Sequence, residues 1–295
     1  MPDSDVHPLT PPACPQRRLK VGCVQLNSGI DIAANIADAR ALIREAAASG
    51  ARLIATPEMT SLMNHAPGAL YASAKPEADD PALQAFRGLA AELRISLLIG
   101  SLHIRAEHGL CANRSFLLGP DGDILASYDK IHRFDVQLSA TNAHRESRDF
   151  MAGDTALVAA LPEARLGLTI CYDVRFPHLH RDLAKAGAEI LAVPAAFNSV
   201  SGAAHWHVLL RARAIETGCF VIAPAQCGTH QDGRKTFGHS LIISPWGAIV
   251  AEAGDEPGVI TAELDLDDVA AARAKIPALS HDMPYTLKIA ASTKG

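Results

Sequence analysis

Residues 166–177 read LGLTICYDVRFP, an apolar run followed by a cysteine, a short polar turn and a proline. The apolar part, residues 166–170, has the length of a buried β-strand, and a helix is expected to begin near Pro177. Cys171 would then stand on a sharp turn, where a nucleophile projects and nearby backbone N–H groups can bind an oxyanion. The helix start would also favour a thiolate. Placement alone supports a buried, inert cysteine equally well.

Segments of strand and helix character alternate on both sides of this stretch. Short apolar runs at residues 21–26, 53–56 and 190–193 predict strands, and Asp31 is a candidate helix N-cap. Residues 119–123 and 244–247 have the composition of hairpin turns, which join antiparallel strands. The pattern therefore predicts an α/β fold with a mixed sheet, or two sheets with helices outside, rather than a purely parallel sheet.

Length and composition set limits on the class of protein. The chain has 295 residues, a formal net charge of −5 and 48% apolar residues. This balance does not favour a nucleic-acid or anionic-membrane partner, and no apolar run reaches the ~18 residues of a membrane helix. Its six cysteines are far apart, so no disulfide framework is expected. We expect a disordered leader over residues 1–18, a single domain over residues 19–295 and a cytoplasmic location.

Three charged residues are further candidates for chemistry. Glu58 follows a predicted strand and Pro57, Lys130 ends the strand after the first hairpin, and Glu146 lies in a polar segment. A carboxylate at a buried strand end is costly unless a partner compensates it. Taken singly, however, each of the three residues is better explained as a solvated surface residue.

Metal and cofactor sites are not predicted. The cysteines form no Cys-x-x-Cys pair, and His205 and His207 are two positions apart, so they point to different faces of a predicted helix. A Cys–His–Asp arrangement around Cys171 stays possible, although no local signature supports it.

Three short segments occur together in an order that resembles the nitrilase superfamily of carbon–nitrogen hydrolases. They read TPE at residues 56–58, YDKIH at 128–132 with FD at 134–135, and GLTICYDVRFP at 167–177. The likeness extends from about residue 19 to residue 264. It implies a four-layer α-β-β-α sandwich, with two mixed sheets between outer helices, that usually dimerises through one helical face.

The resemblance also implies roles for the candidate residues. Glu58, Lys130 and Cys171 would form a Glu–Lys–Cys active centre, and Glu146 would be a second glutamate that orients Lys130 or the substrate. Cys171 would attack an amide carbonyl and form an acyl-thioester. Glu58 would carry the thiol proton to the leaving ammonia and then activate water. Lys130 and the backbone N–H of Tyr172 would stabilise the oxyanion.

A further group of segments narrows the branch of the superfamily. The segments are PAAFN at residues 194–198, HW at 205–206 and LLRARAIE at 209–216, and they resemble the amidases of ω-amides and deaminated glutathione. AQCGTH at residues 225–230 and FGH at 237–239 favour deaminated glutathione. The alternatives are 2-oxoglutaramate, an aliphatic amide or a nitrile as substrate. The remote alternative is a non-catalytic interaction protein.

The favoured substrates carry a carboxylate beside a keto group, plus an amide to be cut, so a fixed cation is expected in the pocket. Arg175 is a candidate bidentate carboxylate clamp, and a structural arginine tied to Asp173 is the alternative. Phe197 and Trp206 could line an apolar wall with Tyr172, although core packing is the usual role of aromatic residues. A small-molecule amide and a second copy of the chain, in a homodimer, are the expected partners.

Overall fold

The computed structural model describes residues 17–64, 66, 68–139 and 142–289. In chain order its strands are β1 (Arg18–Gln25), β2 (Leu53–Ala55), β3 (Ser96–Arg105), β4 (Cys111–Leu118), β5 (Ile124–Asp129), β6 (Asp135–Ser139), β7 (Asn142–Arg145), β8 (Leu157–Ala160), β9 (Arg165–Leu168), β10 (Ile190–Ala192), β11 (Phe220–Ala223), β12 (Cys227–Thr229), β13 (Lys235–Phe237), β14 (Leu241–Ile243), β15 (Ile249–Glu252) and β16 (Gly258–Asp265). Its helices are α1 (Ile32–Ala48), α2 (Ala69–Ser73), α3 (Pro81–Leu93), α4 (Pro177–Lys185), α5 (Ser199–Thr217) and α6 (Asp267–Lys275). Short 3-10 turns cover Glu77–Asp79, Glu146–Arg148, Cys171–Arg175 and Ala278–Ser280.

Two six-stranded sheets, here called the first and second sheet, form the centre of the fold. The strand order is β16-β1-β2-β3-β4-β5 in the first sheet and β15-β14-β11-β10-β9-β8 in the second. In each sheet three neighbouring strands are parallel, β1 to β3 in the first and β9 to β11 in the second. The flanking pairs are antiparallel. Both sheets are therefore mixed, as the hairpin signals predict.

The side chains of the first sheet alternate between two regions of the hydrophobic core. On β2, Leu53 and Ala55 pack in the core shared with the second sheet, whereas Ile54 packs with α1 and α3. Helices α4 and α5 add Leu183 and Leu210 to the shared core, on the far side of the second sheet. The layers run helix, sheet, sheet, helix, which confirms the four-layer sandwich.

Side-chain caps fix where two of the longer helices begin. Oδ1 of Asp31 accepts hydrogen bonds from the N–H groups of Ala33 and Ala34 at 2.9 and 3.2 Å, which confirms Asp31 as the N-cap of α1. Oδ1 of Asn198 caps α5 in the same way, accepting from the Val200 N–H at 2.9 Å. Because Asn198 directly follows Phe197, this cap also fixes the chain where it enters α5.

Both predicted hairpins are present. Residues 119–123 join β4 to β5, with Gly122 at a φ of +82° that a β-carbon would strain. Residues 244–248 join β14 to β15, and the Ser244 N–H donates to the Ala248 carbonyl at 2.9 Å. The polar segment around Glu146 contains β7 and a 3-10 turn. The sequence of this segment does not predict either element, because the segment has no periodic apolar pattern.

The predicted leader lies mostly outside the described residues, since residues 1–16 are not among them. Its last two residues belong to the folded part. Arg18 begins β1, and Nη1 of Arg17 donates to Oε1 of Glu189 at 2.8 Å. Across the described ranges, no helix is long and apolar enough to cross a membrane.

Candidate active site

A pocket of about 290 Å³ opens where several strands of the two sheets end. Glu58 follows β2, Lys130 follows β5 and Cys171 follows β9, and all three line the pocket together with Glu146. The carboxyl ends of parallel strands are where ligands bind in α/β folds, because loops there converge on one edge. The structure thus brings the four sequence-predicted catalytic candidates into one site.

Cys171 stands on a strained turn directly after the second sheet's strand β9. Its φ is +48°, in the left-handed region that residues with a β-carbon avoid. The Cys171 N–H donates to the Pro194 carbonyl at 2.9 Å, which ties the turn to the chain that follows β10. A 3-10 turn, Cys171–Arg175, begins at the cysteine itself. The predicted elbow is therefore present, with a 3-10 turn in place of an immediate α-helix.

A fully buried carboxylate holds this elbow in place. Oδ2 of Asp173 accepts from the Ile170 N–H at 2.8 Å and from the Tyr128 hydroxyl at 2.7 Å. Its Oδ1 accepts from the N–H and Nδ1 of His132 at 3.0 and 2.7 Å. Four donors on one carboxylate connect the Cys171 turn to the segment that carries Lys130. Sequence reasoning missed this role, since it considered Asp173 only as a partner of Arg175.

Lys130 lies between two carboxylates at the base of the pocket. Its Nζ donates to Oε1 of Glu58 at 2.8 Å and to both oxygens of Glu146 at 3.0 and 2.8 Å. Nδ2 of Asn113 donates to the same two carboxylates, at 2.9 Å to Glu58 and 3.1 Å to Glu146. The other oxygen of Glu58 accepts from the Ala196 N–H at 2.8 Å. The Lys130 side chain is only 2% exposed, so these contacts hold it rigidly.

Burial and mutual charge set the protonation states of this group. Burial raises the pKa of the Cys171 thiol well above its usual range, and the negative charge of Glu58 raises it further. Burial disfavours the ionised form of Glu58, but the charge and hydrogen bond of Lys130, together with the Ala196 N–H and Cys171, outweigh this effect and lower the Glu58 pKa to about 2. Burial also disfavours charged Lys130, and the carboxylates of Glu146 and Glu58 outweigh it and raise the Lys130 pKa.

The resting site therefore holds a protonated thiol against an ionised carboxylate. Moving the proton from sulfur to Glu58 is uphill until negative charge develops near Lys130. An amide carbonyl that gains an oxyanion there would supply the compensating interaction. The geometry is that of a nucleophile, a proton acceptor and a fixed cation in one pocket.

The four predicted substrate-binding residues separate into two pairs. Tyr172 and Phe197 line the described part of the pocket wall, whereas Arg175 and Trp206 are not among its lining residues. The Arg175 guanidinium lies over the rings of Tyr172 and Phe197, 5.9 and 5.2 Å from their centroids. Trp206 is fully buried, and its ring packs 5.0 Å from that of Phe197. Arg175 and Trp206 thus support the wall from behind, because both lie against aromatic residues that face the pocket.

Sequence reasoning missed the cations that do line the pocket. Arg145 and Arg148 are exposed on its wall, and Arg234 is half-buried there. Arg145 and Arg148 flank Glu146 in the sequence, and this clustering of charge around a candidate residue was the available signal. Asn113 was missed as well, because the polar residues Arg114 and Ser115 follow it in β4 and its burial is seen only in the structure.

The four layers and the placement of the pocket define the class of protein, which is a hydrolase of the nitrilase superfamily. The chain belongs to the carbon–nitrogen hydrolase family, whose model matches residues 20–274. This match confirms the resemblance seen in the three sequence segments, and it covers most of the described residues.

Two curated relatives and one solved structure illustrate the likeness. The deaminated glutathione amidase of Synechocystis sp. is 40% identical over 263 residues, which cover 88% of this chain and 96% of that protein. The deaminated glutathione amidase of Homo sapiens is 37% identical over 269 residues, which cover 90% of this chain and 82% of that protein. The C. elegans NitFhit protein superposes with a TM-score of 0.85 at 34% identity. That alignment covers 90% of this chain but only 65% of the NitFhit chain.

Proposed function

We propose that this chain is a cysteine amidase that hydrolyses deaminated glutathione. The observation that carries the chemistry is the Lys130 ammonium held between Glu58 and Glu146, with Cys171 in the same pocket. The names of relatives that are 36 to 41% identical over most of the chain support the substrate.

Acylation follows from the positions of these groups. Sγ of Cys171 attacks the amide carbonyl carbon while its proton passes to the Glu58 carboxylate. The Lys130 ammonium and the Tyr172 N–H, one of the unpaired donors at the start of a helical turn, stabilise the oxyanion. As the C–N bond breaks, Glu58 gives its proton to the leaving nitrogen. The acyl group stays on sulfur as a thioester.

Deacylation uses the same groups in the reverse direction. Water attacks the thioester carbonyl while Glu58 takes one of its protons. The C–S bond then breaks, the acid product leaves, and the proton returns to the Cys171 sulfur. Glu146 accepts from Lys130 through both of its oxygens, and we assign it to holding the ammonium in position.

The guanidinium groups of the pocket support a carboxylate-bearing substrate. Three guanidinium groups, those of Arg145, Arg148 and Arg234, line it beside two aspartates. Guanidinium binds carboxylate through paired hydrogen bonds, so these residues are better placed than Arg175 to hold the acidic end of the substrate.

The proposed substrate also changes the expected leaving group. The amide bonds of deaminated glutathione are peptide bonds, so cleavage releases a primary amine and not the ammonia expected from the family resemblance. The test is therefore a panel in which amine release is followed for deaminated glutathione. Ammonia release is followed for 2-oxoglutaramate, simple aliphatic amides and aliphatic nitriles. We expect the highest kcat/KM with deaminated glutathione.

Variants separate the mechanism from the substrate. Cys171→Ala should abolish turnover, while the matched control Cys219→Ala, which removes a buried thiol away from the pocket, should retain it. Turnover by Cys171→Ala would refute the thioester mechanism. Failure of the parent enzyme with both deaminated glutathione and 2-oxoglutaramate would refute the substrate class. A parent protein that cleaves nothing on the panel would favour the non-catalytic interaction protein.

Assembly and location form a separate part of the proposal. We assign the chain to a homodimer formed through α5, which exposes Val200, Val208 and Ile215 at 70%, 68% and 55%. Apolar side chains along one helix are typical of a subunit interface. Sedimentation equilibrium tests this assignment, and a monomeric mass at micromolar concentration would refute it. A cytoplasmic location is proposed with it, and cell fractionation tests that location.

A further inference from the structure

Two histidines and a glutamate meet at the edge of the second sheet, away from the residues of the pocket. His207 lies on α5, His239 precedes β14, and Glu252 ends β15. Oε1 of Glu252 is 2.8 Å from Nε2 of His207 and 3.0 Å from Nδ1 of His239. The three ligand atoms all lie within 4.8 Å of one another. We call these three residues the His–His–Glu cluster.

The imidazole of His239 is held in a fixed orientation. Its backbone has a φ of +53°, which is unusual for a residue with a β-carbon, and its carbonyl accepts from the Trp206 Nε1–H at 2.8 Å. The ring stacks on Phe237 with centroids 4.5 Å apart. Its second nitrogen, Nε2, lies 3.1 Å from Oδ1 of Asp255. A carboxylate on the far nitrogen is the usual way in which proteins orient a metal-binding histidine.

We propose that the His–His–Glu cluster binds a divalent transition-metal ion of the zinc class. Two imidazoles and one carboxylate are a donor set that zinc accepts, with a fourth position left for water. Imidazole nitrogen is a poor ligand for magnesium or calcium, which prefer oxygen. With metal–ligand distances of about 2.0–2.1 Å, tetrahedral ligand atoms lie ~3.3 Å apart. The two glutamate–histidine distances, 2.8 and 3.0 Å, are shorter than this, so Glu252 would move outward to admit the ion.

Binding the ion requires the ring protons of His207 and His239 to leave the nitrogens that face Glu252. At His239 a carboxylate already lies beside the nitrogen that would receive the proton. When the metal takes Nδ1 of His239, the ring proton occupies Nε2, which lies 3.1 Å from Oδ1 of Asp255. At His207 the metal takes Nε2, and the proton occupies Nδ1. Glu252 then exchanges two hydrogen bonds for one metal bond.

The bound ion would join segments that are distant in the sequence. His207 and Glu252 are 45 positions apart, so the ion would clamp α5 to the hairpin of β14 and β15. Local spacing could not reveal this set, because neither histidine has its partner within one helical turn. The clamp would also brace the pocket wall, since Trp206 contacts both His239 and Phe197.

Zinc binding can be measured with the ion alone, by competition against a chromophoric chelator. The parent for this experiment is Cys171→Ala, so that the active-site thiol does not bind the ion. We expect one zinc ion per chain and a higher Tm when zinc is present. His207→Ala, on the surface of α5, should raise Kd at least 100-fold and remove the Tm increase. Asp255→Asn should raise Kd about tenfold.

The control is His205→Ala, which removes a histidine from the same helix but outside the cluster. His205 instead places Nδ1 3.3 Å from Nη1 of Arg175. We expect its zinc affinity to equal that of the parent. Equal zinc affinities for the Cys171→Ala protein and for the same protein with His207→Ala added would overturn the proposal. It would also be overturned if the unmodified chain binds zinc but the Cys171→Ala protein does not.

Discussion

Replacing Asp173 with asparagine tests whether one buried carboxylate holds the catalytic turn. Asparagine keeps the size of the side chain but presents one oxygen and one NH₂ group. In one orientation the NH₂ faces the Tyr128 hydroxyl and the Ile170 N–H. In the other it faces His132 Nδ1 and the His132 N–H. The hydroxyl can rotate and the imidazole can change tautomer, but a backbone N–H cannot become an acceptor.

Either orientation therefore leaves one buried backbone N–H without an acceptor. Such an orphan donor costs about 1–3 kcal/mol, and the remaining hydrogen bonds lose the strength that a charged acceptor gives them. We expect Asp173→Asn to lower the free energy of unfolding by about 2–4 kcal/mol. This is a large part of the ~5–15 kcal/mol that stabilises a typical domain.

The turn that carries Cys171 should also lose its precise position. Displacing a reacting group by about 1 Å can cost roughly 100-fold in rate, so kcat/KM should fall by about that factor. Urea unfolding and amide turnover are the two measurements, with Asp182→Asn as the control because Asp182 is exposed on α4. A change in unfolding free energy below about 0.5 kcal/mol would refute the reasoning, as would unchanged turnover.

Three further predictions concern the charged group in the pocket. Lys130→Met should lower kcat by about 10²–10³ because an oxyanion donor is lost. The free energy of unfolding of this variant should fall as pH rises, because the two facing carboxylates must then ionise together. In the parent, the pKa of Glu58 is lowered to about 2, so its stabilising contribution is complete above about pH 5 and is lost as pH falls towards 2. The raised pKa of Cys171 predicts an iodoacetamide labelling rate that still increases with pH well above ~8.5, where ordinary thiols have levelled off.

Each of these three predictions has a matched comparison. For Lys130→Met the comparison is Lys185→Met, whose ammonium is on the surface of α4, and equal kcat values would contradict the assignment. For Glu58 it is Glu58→Gln, whose unfolding free energy should change less between pH 5 and pH 2 than that of the parent. For Cys171 it is a small free thiol in solution, and parallel labelling profiles would contradict the raised pKa.

The layered fold could be predicted because its strands and helices carry strong local patterns. The apolar run at residues 53–55 and the turn residues around Gly122 and Gly247 are local features, which can be read directly from the sequence. The segment from β6 to β7 was not predicted, since its pairing depends on its position beside the pocket rather than on an apolar period.

Only the residues of the candidate site that lie within sequence motifs were predicted. Glu58, Lys130 and Cys171 lie at strand ends within recognisable segments, and the structure brings them together. The contacts of Asn113 and the four hydrogen bonds to Asp173 are tertiary, so no spacing in the chain encodes them. The roles of these residues remain predictions until the variants above are measured.

The left-handed backbone of Cys171 affects which substitutions this position can accept during evolution. A left-handed φ costs a residue with a β-carbon about 1–2 kcal/mol, and glycine would escape that cost. Cysteine and glycine codons differ by a single base, so the relaxed alternative is one mutation away. Glycine at position 171 would lack the sulfur that the proposed thioester mechanism needs. If that mechanism holds, we expect chains that keep the activity to keep the cysteine together with its cost in stability.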